Sequence, residues 1–243
     1  MAVRVPIGMR GDGDDARTLV DAGSLGAKGT VEARFFAAGA GARLRHGVES
    51  ALVVLAGAGD WRGDGHTWSL RQGDGVYTPA GGAHEWTATS DDTCLLVVRA
   101  DAPREDGPPE PRRFAATDDS GEGVLGSVGG FVDMGVRWLA TTETVGARRL
   151  VVATSTFTPG GSHGLHRHHN ADEFFLVVSG SGAHLTETGE VALVEGDLVF
   201  VPANEWHGYR TDEGTVTRAV YGYLGAGSLE QAGYELDEAE VPA

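Results

Sequence analysis

Short apolar stretches alternate with turn-forming residues along most of the chain. The stretches are rich in Val, Leu and Phe and are bounded by Gly, Pro, Asp or Asn, which is typical of strands in a β-sandwich or barrel. They lie at residues 51–55, 94–98, 150–153, 174–178 and 198–201. Helical periodicity is confined to short pieces near residues 16–22 and 228–232. The 38 glycines strengthen this all-β prediction, because glycine supplies positive φ at tight turns and interrupts helices.

Composition and charge narrow the class of partner. The formal net charge of -16 over 243 residues repels phosphate backbones and anionic membrane surfaces, which argues against nucleic acid and acidic lipid. No stretch approaches the roughly 18 apolar residues that span a bilayer, and the N-terminus lacks an apolar signal segment. The single Cys94 excludes an internal disulfide and lies in a stretch that predicts burial. We therefore expect a cytoplasmic protein that acts on a small-molecule substrate.

A proline-rich segment divides the chain. Residues 101–113 read Asp-Ala-Pro-Arg-Glu-Asp-Gly-Pro-Pro-Glu-Pro-Arg-Arg, and such proline density blocks sheet ladders and favours an extended spacer. We expect an N-terminal unit at residues 1–105, a linker at 106–122 and a C-terminal unit at 123–243. A two-barrel chain can pair its halves internally and remain a monomer, but sheet edges also invite pairing between chains, and we expect a homodimer.

An internal repeat supports this division. Moving the second half onto the first by 123 positions needs no gap and aligns several glycines, a Gly-Asp pair, a Pro-Ala pair and a histidine. The aligned pairs are Gly57 with Gly180, Gly59 with Gly182, Leu70 with Leu193, Gly73-Asp74 with Gly196-Asp197, Pro79-Ala80 with Pro202-Ala203, and His84 with His207. Similarity at one fixed offset indicates a duplicated structural unit.

The second half contains a His-X-His segment that predicts metal ligands. On an extended strand His166 and His168 point to the same side, because successive side chains alternate faces. A turn follows, and Glu173 then opens an apolar strand that can return a carboxylate to the same place. Further along, His207 follows a strand and a Pro-Ala-Asn turn and supplies a fourth ligand. Three imidazoles and one carboxylate suit iron, manganese, nickel, cobalt or zinc, with positions left open for chemistry.

These segments resemble the two motifs of the cupin superfamily. The first motif is matched throughout by Gly160, His166, His168, Glu173 and Gly180; the second is matched by Gly196, Pro202 and His207, with Asn204 in place of a glycine and Thr211 in place of an asparagine. Asn tolerates left-handed backbone almost as glycine does, so the turn is retained. The resemblance implies two tandem cupin-type β-barrels (double-stranded β-helix, jelly-roll like) and one divalent transition metal, with iron the first choice, on the four ligands.

The first half resembles the family only in its second motif. At the same offset Arg45 and Ser50 stand in place of His168 and Glu173. Two readings remain open. His46, Glu49 and His84 form a two-His, one-carboxylate site if the shortened loop shifts register, or the first half is structural and supports the second barrel.

Polar residues beside the ligands are candidates for acid and base chemistry. His163 and His169 flank the ligand run, Glu205 precedes His207 by two residues, and Tyr209 follows it by two. We expect His163, Glu205 and Tyr209 to be catalytic, against the alternative that such residues are ordinary strand-end and sheet residues. Phe175 and Val177 share the face of Glu173, which predicts a largely apolar cavity behind the metal.

Three classes of function fit these observations. The first is a metal-dependent oxidoreductase of the dioxygenase type, acting on a small aromatic or partly apolar oxygenated substrate; proteins that resemble this one often carry such activity. The second is a non-redox isomerase, cyclase or lyase in which the metal is a Lewis acid. The third is a small-molecule-binding cupin without catalysis. Oxygen uptake and metal preference discriminate among them, because the fold alone does not.

Overall fold

The computed structural model describes residues 3–6, 15–45, 47–102, 110–115, 123–125 and 130–237. The N-terminal half contains β1 (Val3–Pro6), β2 (Asp15–Val20), α1 (Ala22–Leu25), β3 (Gly29–Phe36), β4 (Gly41–Arg45), β5 (Glu49–Ala56), β6 (Ala58–Gly63), β7 (His66–Arg71), β8 (Asp74–Thr78), β9 (Ala83–Ala88), β10 (Thr93–Ala100) and β11 (Arg112–Ala115). The C-terminal half contains β12 (Gly123–Leu125), β13 (Phe131–Ala140), α2 (Thr142–Val145), β14 (Val152–Arg167), β15 (Asp172–Ser179), β16 (Ser181–Thr186), β17 (Gly189–Val194), β18 (Asp197–Val201), β19 (His207–Thr211), β20 (Thr217–Leu224), α3 (Leu229–Ala232) and β21 (Glu235–Leu236).

The all-β prediction of two tandem barrels is confirmed. The N-terminal barrel is built from two sheets with strand orders β11-β8-β5-β10-β3-β2 and β4-β9-β6-β7. The C-terminal barrel is one curled sheet with the path β1-β18-β15-β20-β14-β19-β16-β17, to which β12, β13 and β21 are added. The strand pairings within both barrels are antiparallel, so each strand can turn one face to a core.

The continuous apolar stretches are strands that are buried on both faces. On β10, Cys94, Leu96 and Val98 face a core shared by the two halves, whereas Leu95 and Val97 face the inside of the N-terminal barrel. The same alternation runs along β15 in the C-terminal half. Burying a Leu or Val side chain contributes roughly 1.5–3 kcal/mol, so both faces of these strands stabilise the fold and the two halves form one packed unit.

The helix predictions have mixed outcomes. The piece near residues 228–232 is confirmed as α3, whose N-cap Ser228 accepts a hydrogen bond from the backbone of Gln231. The prediction of helix near residues 16–22 is wrong over 16–20, which belong to β2; Leu19 and Val20 are buried and the strand pairs with β3. A helical turn begins only at Ala22. Tertiary pairing overrides a weak local preference here.

Part of the predicted linker is a strand. Residues 112–115 form β11, which pairs with β8 of the N-terminal half, while residues 106–109 and 116–122 lie outside the described chain. The expectation of an extended spacer is therefore wrong for 112–115, because this stretch has no proline and Phe114 packs into the core. The division into units at 105 and 123 stays a prediction.

The two strands that precede the halves are exchanged between them. β1 precedes the first half and pairs with β18 of the second, and β11 precedes the second half and pairs with β8 of the first. Each exchanged strand carries an arginine that binds a buried aspartate of the other half. Arg4 binds Asp197 at 2.7 Å and Arg113 binds Asp74 at 3.0 Å. The two aspartates occupy equivalent positions of the repeat, 123 residues apart. The halves are thus joined by a symmetric pair of contacts.

A second pair of contacts also runs in both directions between the halves. In each, a carboxylate of one half binds the turn that follows the first helix of the other half. Glu49 on β5 accepts hydrogen bonds from the backbone N–H groups of Arg148 and Arg149. Asp172, the residue at the repeat offset from Glu49, accepts one from the backbone of Lys28 at 2.7 Å. Buried carboxylates therefore cap backbone across the junction in both directions, which fixes the orientation of the two barrels.

Candidate metal centre

Three neighbouring segments bring the four predicted ligands together. His166 lies near the end of β14, His168 follows that strand, Glu173 lies on β15, and His207 begins β19, where it is paired with His166. One ligand atom from each of the four lies within 4.8 Å of the others, and all four residues are buried. The antiparallel register thus converts separations along the chain into one cluster.

Backbone carbonyls orient the three imidazoles. Nδ1 donates to Gly164 O at 2.9 Å in His166, to Gly233 O at 2.7 Å in His168 and to Glu205 O at 2.9 Å in His207. With the ring proton on Nδ1, Nε2 of each neutral ring offers a lone pair to the cluster. Such outer hydrogen bonds fix the tautomer and orientation of metal-binding histidines.

The electrostatics of the cluster fit a divalent cation. Glu173 Oε2 lies 3.1 Å from His168 Nε2 and 3.2 Å from His207 Nε2. Burial opposes charge on Glu173, but the adjacent His207 and His168 hold the pKa of its carboxyl well below the usual range. Burial likewise opposes charge on His207, yet Glu173 raises its pKa. A buried carboxylate facing nitrogen lone pairs requires a proton or a cation between them, and three imidazoles with one carboxylate suit a first-row transition metal.

The turn before His207 adopts the predicted backbone. Asn204 has φ of 67°, in the left-handed region, and Gly81 at the repeat offset has φ of 91°. Asn204 Oδ1 accepts a hydrogen bond from His169 Nδ1 at 3.0 Å. Replacement of the motif glycine by asparagine therefore preserves the turn that delivers His207.

A cavity of about 210 Å³ opens from the ligand cluster into the C-terminal barrel. His166, Glu173 and His207 line it, so a metal held by the cluster faces the cavity. Most other lining residues are apolar or aromatic: Phe131, Met134, Val136, Trp138, Phe157, Phe175, Val201, Tyr209, Tyr221, Tyr223, Leu229 and Tyr234. A cavity of about 150 Å³ with apolar walls is large enough for benzene. The observed cavity therefore admits one substituted ring.

The expected catalytic residues differ in their positions. His163 and Tyr209 line the cavity, and they are paired across β14 and β19. Glu205 does not line it; its backbone carbonyl instead accepts the hydrogen bond from His207 Nδ1. His169 is exposed, and its Nε2 lies 2.9 Å from Glu235. Contact with the cavity thus favours His163 and Tyr209 over the other two for a direct role.

His163 has a partner that the sequence did not indicate. Its Nε2 lies 3.0 Å from the hydroxyl of Tyr234, and its ring stacks on His166 with 3.7 Å between centroids. Burial lowers the pKa of His163 to about 3 and raises that of Tyr234 to about 12. Both groups are therefore neutral at pH 7, and one hydrogen bond joins the tyrosine hydroxyl and the imidazole.

Tyr234 belongs to a C-terminal strap, residues 229–237, that covers the ligand cluster. Gly233 O receives the hydrogen bond from His168 Nδ1, and β21 pairs with β14 at His166 and Arg167. Arg167 also binds Glu235 of the strap at 2.8 Å. Sequence reasoning missed the strap because its glycine and tyrosine match no motif and lie far along the chain from the ligands they contact.

His184 is a further cavity residue that sequence reasoning missed. It lies on β16 with its ring 6.3 Å from that of His207, and only 4% of the residue is exposed. The repeat could have drawn attention to His184, because the offset of 123 aligns His184 with Trp61 and Tyr209 with Trp86. Both tryptophans are buried in the core of the N-terminal barrel. Their indole rings therefore fill the space in the first barrel that corresponds to the cavity of the second.

The contacts of the first half favour a structural role for this half over a second metal site. Glu49 is committed to the junction between the halves, where it also accepts a hydrogen bond from Tyr77 at 2.9 Å. His84 is buried with its ring 5.3 Å from that of Trp61, and His46 lies outside the described residues. Glu49 is thus engaged elsewhere than in a two-His, one-carboxylate site.

The family of the chain follows from sequence similarity. The model of the cupin domain family matches residues 35–99 and 153–221, which together exceed half of the chain. The chain belongs to the cupin family. Each match covers one of the two barrels, so this cupin has two domains of the family. No curated protein is similar enough in sequence to count as a relative.

Solved structures with the same fold are distant in sequence. The protein Ylba from E. coli is 19% identical with a TM-score of 0.68, over 91% of this chain and 86% of the other. A variant of oxalate decarboxylase from Bacillus subtilis is 16% identical with a TM-score of 0.67, over 96% of this chain and 78% of the other. At these identities the likeness establishes the cupin fold.

Among the described residues, no helix of this cupin has the length and apolar character needed to cross a membrane.

Proposed function

We propose that this cupin is a metal-dependent enzyme of the dioxygenase type that acts on a small aromatic or partly apolar oxygenated substrate. The observation that carries the proposal is the position of three ligands, His166, Glu173 and His207, on the wall of an otherwise mainly apolar cavity. A substrate held there lies directly against the metal-binding cluster. A divalent transition metal, with iron the first choice and manganese, nickel, cobalt and zinc as alternatives, would supply open positions for substrate oxygens and dioxygen.

The cavity wall selects the substrate by size and polarity. Phe157 and Phe175 meet edge to face and Tyr209 packs against both, so their rings form a rigid apolar wall. No lysine or arginine is among the described residues that line the cavity. A small dianion such as oxalate would have the metal to pair with one of its carboxylates but no lysine or arginine on the wall for the other, whereas an uncharged ring gains by burial.

His163 and Tyr234 provide the chain's own proton chemistry. His163 lines the cavity, and its Nε2 shares a hydrogen bond with the Tyr234 hydroxyl, so this pair can hold a proton beside the substrate. Tyr209 lines the same wall, but its hydroxyl donates to Thr217 at 3.2 Å. The proposal therefore gives His163 the acid/base role and Tyr209 a role in shaping the wall.

Metal analysis followed by oxygen-uptake assays tests this function. The purified protein is expected to contain one divalent metal per chain and to consume oxygen with a single-ring substrate such as a substituted catechol. Replacing His166 and His168 by Ala should remove both the metal and the turnover. Full turnover without oxygen would refute the dioxygenase reaction. Unchanged ligand binding by the double variant would favour a binding cupin without catalysis.

A second candidate function is a non-redox isomerase, cyclase or lyase. The neutral His163–Tyr234 pair favours it, because proton transfer beside a Lewis-acid metal needs no oxidant. Zinc-loaded protein should then be active without oxygen uptake, and the Tyr234→Phe variant should lose turnover while keeping its zinc. Activity with iron that disappears with zinc would exclude this candidate.

The expected homodimer stays a prediction. β17 lies at the end of the C-terminal sheet and exposes Val191 and Val194, and apolar edge strands invite pairing with a second chain. Light scattering at several protein concentrations measures the mass, and a constant monomer mass would contradict the expectation.

A further inference from the structure

Two buried polar atoms on the cavity wall have no hydrogen-bond partner within the described chain. They are Ser155 Oγ on β14 and His184 Nε2 on β16. Both residues line the cavity, and they are 1% and 4% exposed. Buried polar groups in folded proteins are nearly always paired, and an unpaired group costs free energy. Two such atoms on one cavity wall therefore indicate that something in the cavity pairs with them.

Two other polar side chains of the wall are satisfied by the protein itself. The Tyr209 hydroxyl donates to Thr217 Oγ1, and the Tyr234 hydroxyl is paired with His163. Ser155 and His184 differ from them in leaving their polar atoms for a ligand.

His184 is within reach of a ligand that also contacts the metal-binding cluster. Its ring stacks beside that of His207 with 6.3 Å between centroids, and it is paired across strands with Tyr209. Ser155 lies on a different strand of the wall, opposite Ala219 of β20. The first half has Trp61 at the position of His184, so the polar group belongs to the barrel that has the metal-binding residues.

We propose that Ser155 and His184 bind a peripheral hydroxyl or carbonyl of the substrate and make the cavity specific for an uncharged single-ring compound that carries such a group in addition to its metal-directed oxygens. The inference rests on the proposed function in placing the substrate in this cavity. It adds which side chains determine the substrate preference and which chemical group of the substrate they bind.

Paired probes on the zinc-loaded protein test the inference without turnover. The probes are 3,4-dihydroxybenzyl alcohol and 4-ethylcatechol, which differ by a hydroxyl in place of a methyl group. Isothermal titration calorimetry should show that the alcohol binds about tenfold more tightly, as expected for one buried hydrogen bond. Ser155→Ala and His184→Phe should each lower that ratio several-fold. His184→Trp, which introduces the residue of the first half, should block both probes.

Matched substitutions at exposed sites of the first half are the controls. Ser69→Ala and His66→Phe make the same chemical changes far from the cavity and should leave the ratio unchanged, and zinc content and melting temperature check that every variant folds. Equal affinity of the wild type for the two probes, or binding of neither, overturns the inference without any variant. An unchanged ratio in both cavity variants also overturns it. A retained preference in a protein that never consumes oxygen supports the inference while refuting the proposed dioxygenase function.

Discussion

Replacing Glu173 by Gln should separate metal binding from folding. The substitution keeps the size of the side chain but removes the one negative charge of the ligand set, 6% exposed and about 3 Å from two imidazole nitrogens. At an effective dielectric constant of about 20, two unit charges 4 Å apart attract each other by about 4 kcal/mol, and a divalent ion doubles this. We therefore expect metal affinity to fall at least 100-fold.

Thermal unfolding with and without metal measures this loss. A metal at about 100 times its dissociation constant stabilises the wild type by about 2.7 kcal/mol, which for a chain of this length corresponds to about 5–11 °C in Tm. After a 100-fold loss of affinity the same concentration contributes only about 0.4 kcal/mol, or about 1–2 °C. The metal-free Tm should change less than the metal-induced shift.

The matched control is Glu190→Gln, the same substitution in the same half at an exposed ion pair with Arg210. It should retain the full metal-induced shift. A wild-type-sized shift in the Glu173→Gln variant would show that the carboxylate is not a ligand. Absence of any shift in the wild type with iron, manganese, nickel, cobalt and zinc would refute the metal centre itself.

Three further predictions concern the junction, the buried thiol and the strap. Glu49→Ala leaves the backbone of Arg148 and Arg149 without an acceptor and should lower the free energy of unfolding in urea by roughly 2–4 kcal/mol. Glu49→Gln keeps one acceptor oxygen but turns its NH2 group toward the other backbone donor, so it should cost roughly 1–2 kcal/mol, less than Glu49→Ala. Burial raises the pKa of Cys94 to about 12, so the folded protein should resist a thiolate-specific reagent at pH 8 and react only on unfolding. The stabilisation linked to this proton is present below the unfolded pKa of 9.0 and is lost as pH rises through 12. Tyr234→Phe should cost about 0.5–1.5 kcal/mol in the same urea assay with unchanged metal content, and a fully retained stability would contradict the hydrogen bond to His163.

The sequence alone was sufficient for the fold class and the repeat, and it predicted the four residues that the structure brings into one cluster able to hold a metal. Strand patterning is a local signal, and the offset from His84 to His207 is visible without coordinates. The spacing of His166, His168 and Glu173 carries the ligand prediction because alternation along a strand fixes which side chains share a face. The misassigned helix at 16–20 and the strand at 112–115 show the limit of this reasoning: both segments acquire their structure by pairing with strands distant along the chain.

What only the tertiary structure decided is which residues surround the ligands. The same Glu that the sequence offered as a ligand of a second site, Glu49, binds the opposite half instead. Ser155, His184 and Tyr234 reach the cavity beside the candidate metal cluster from β14, β16 and the C-terminal strap, and no local pattern relates them to one another or to His166. Closure of a sheet into a barrel sets these distances. The sequence therefore predicted the four residues of the candidate metal cluster from strand alternation and motif spacing, while packing across the barrel determined the cavity and its polar groups.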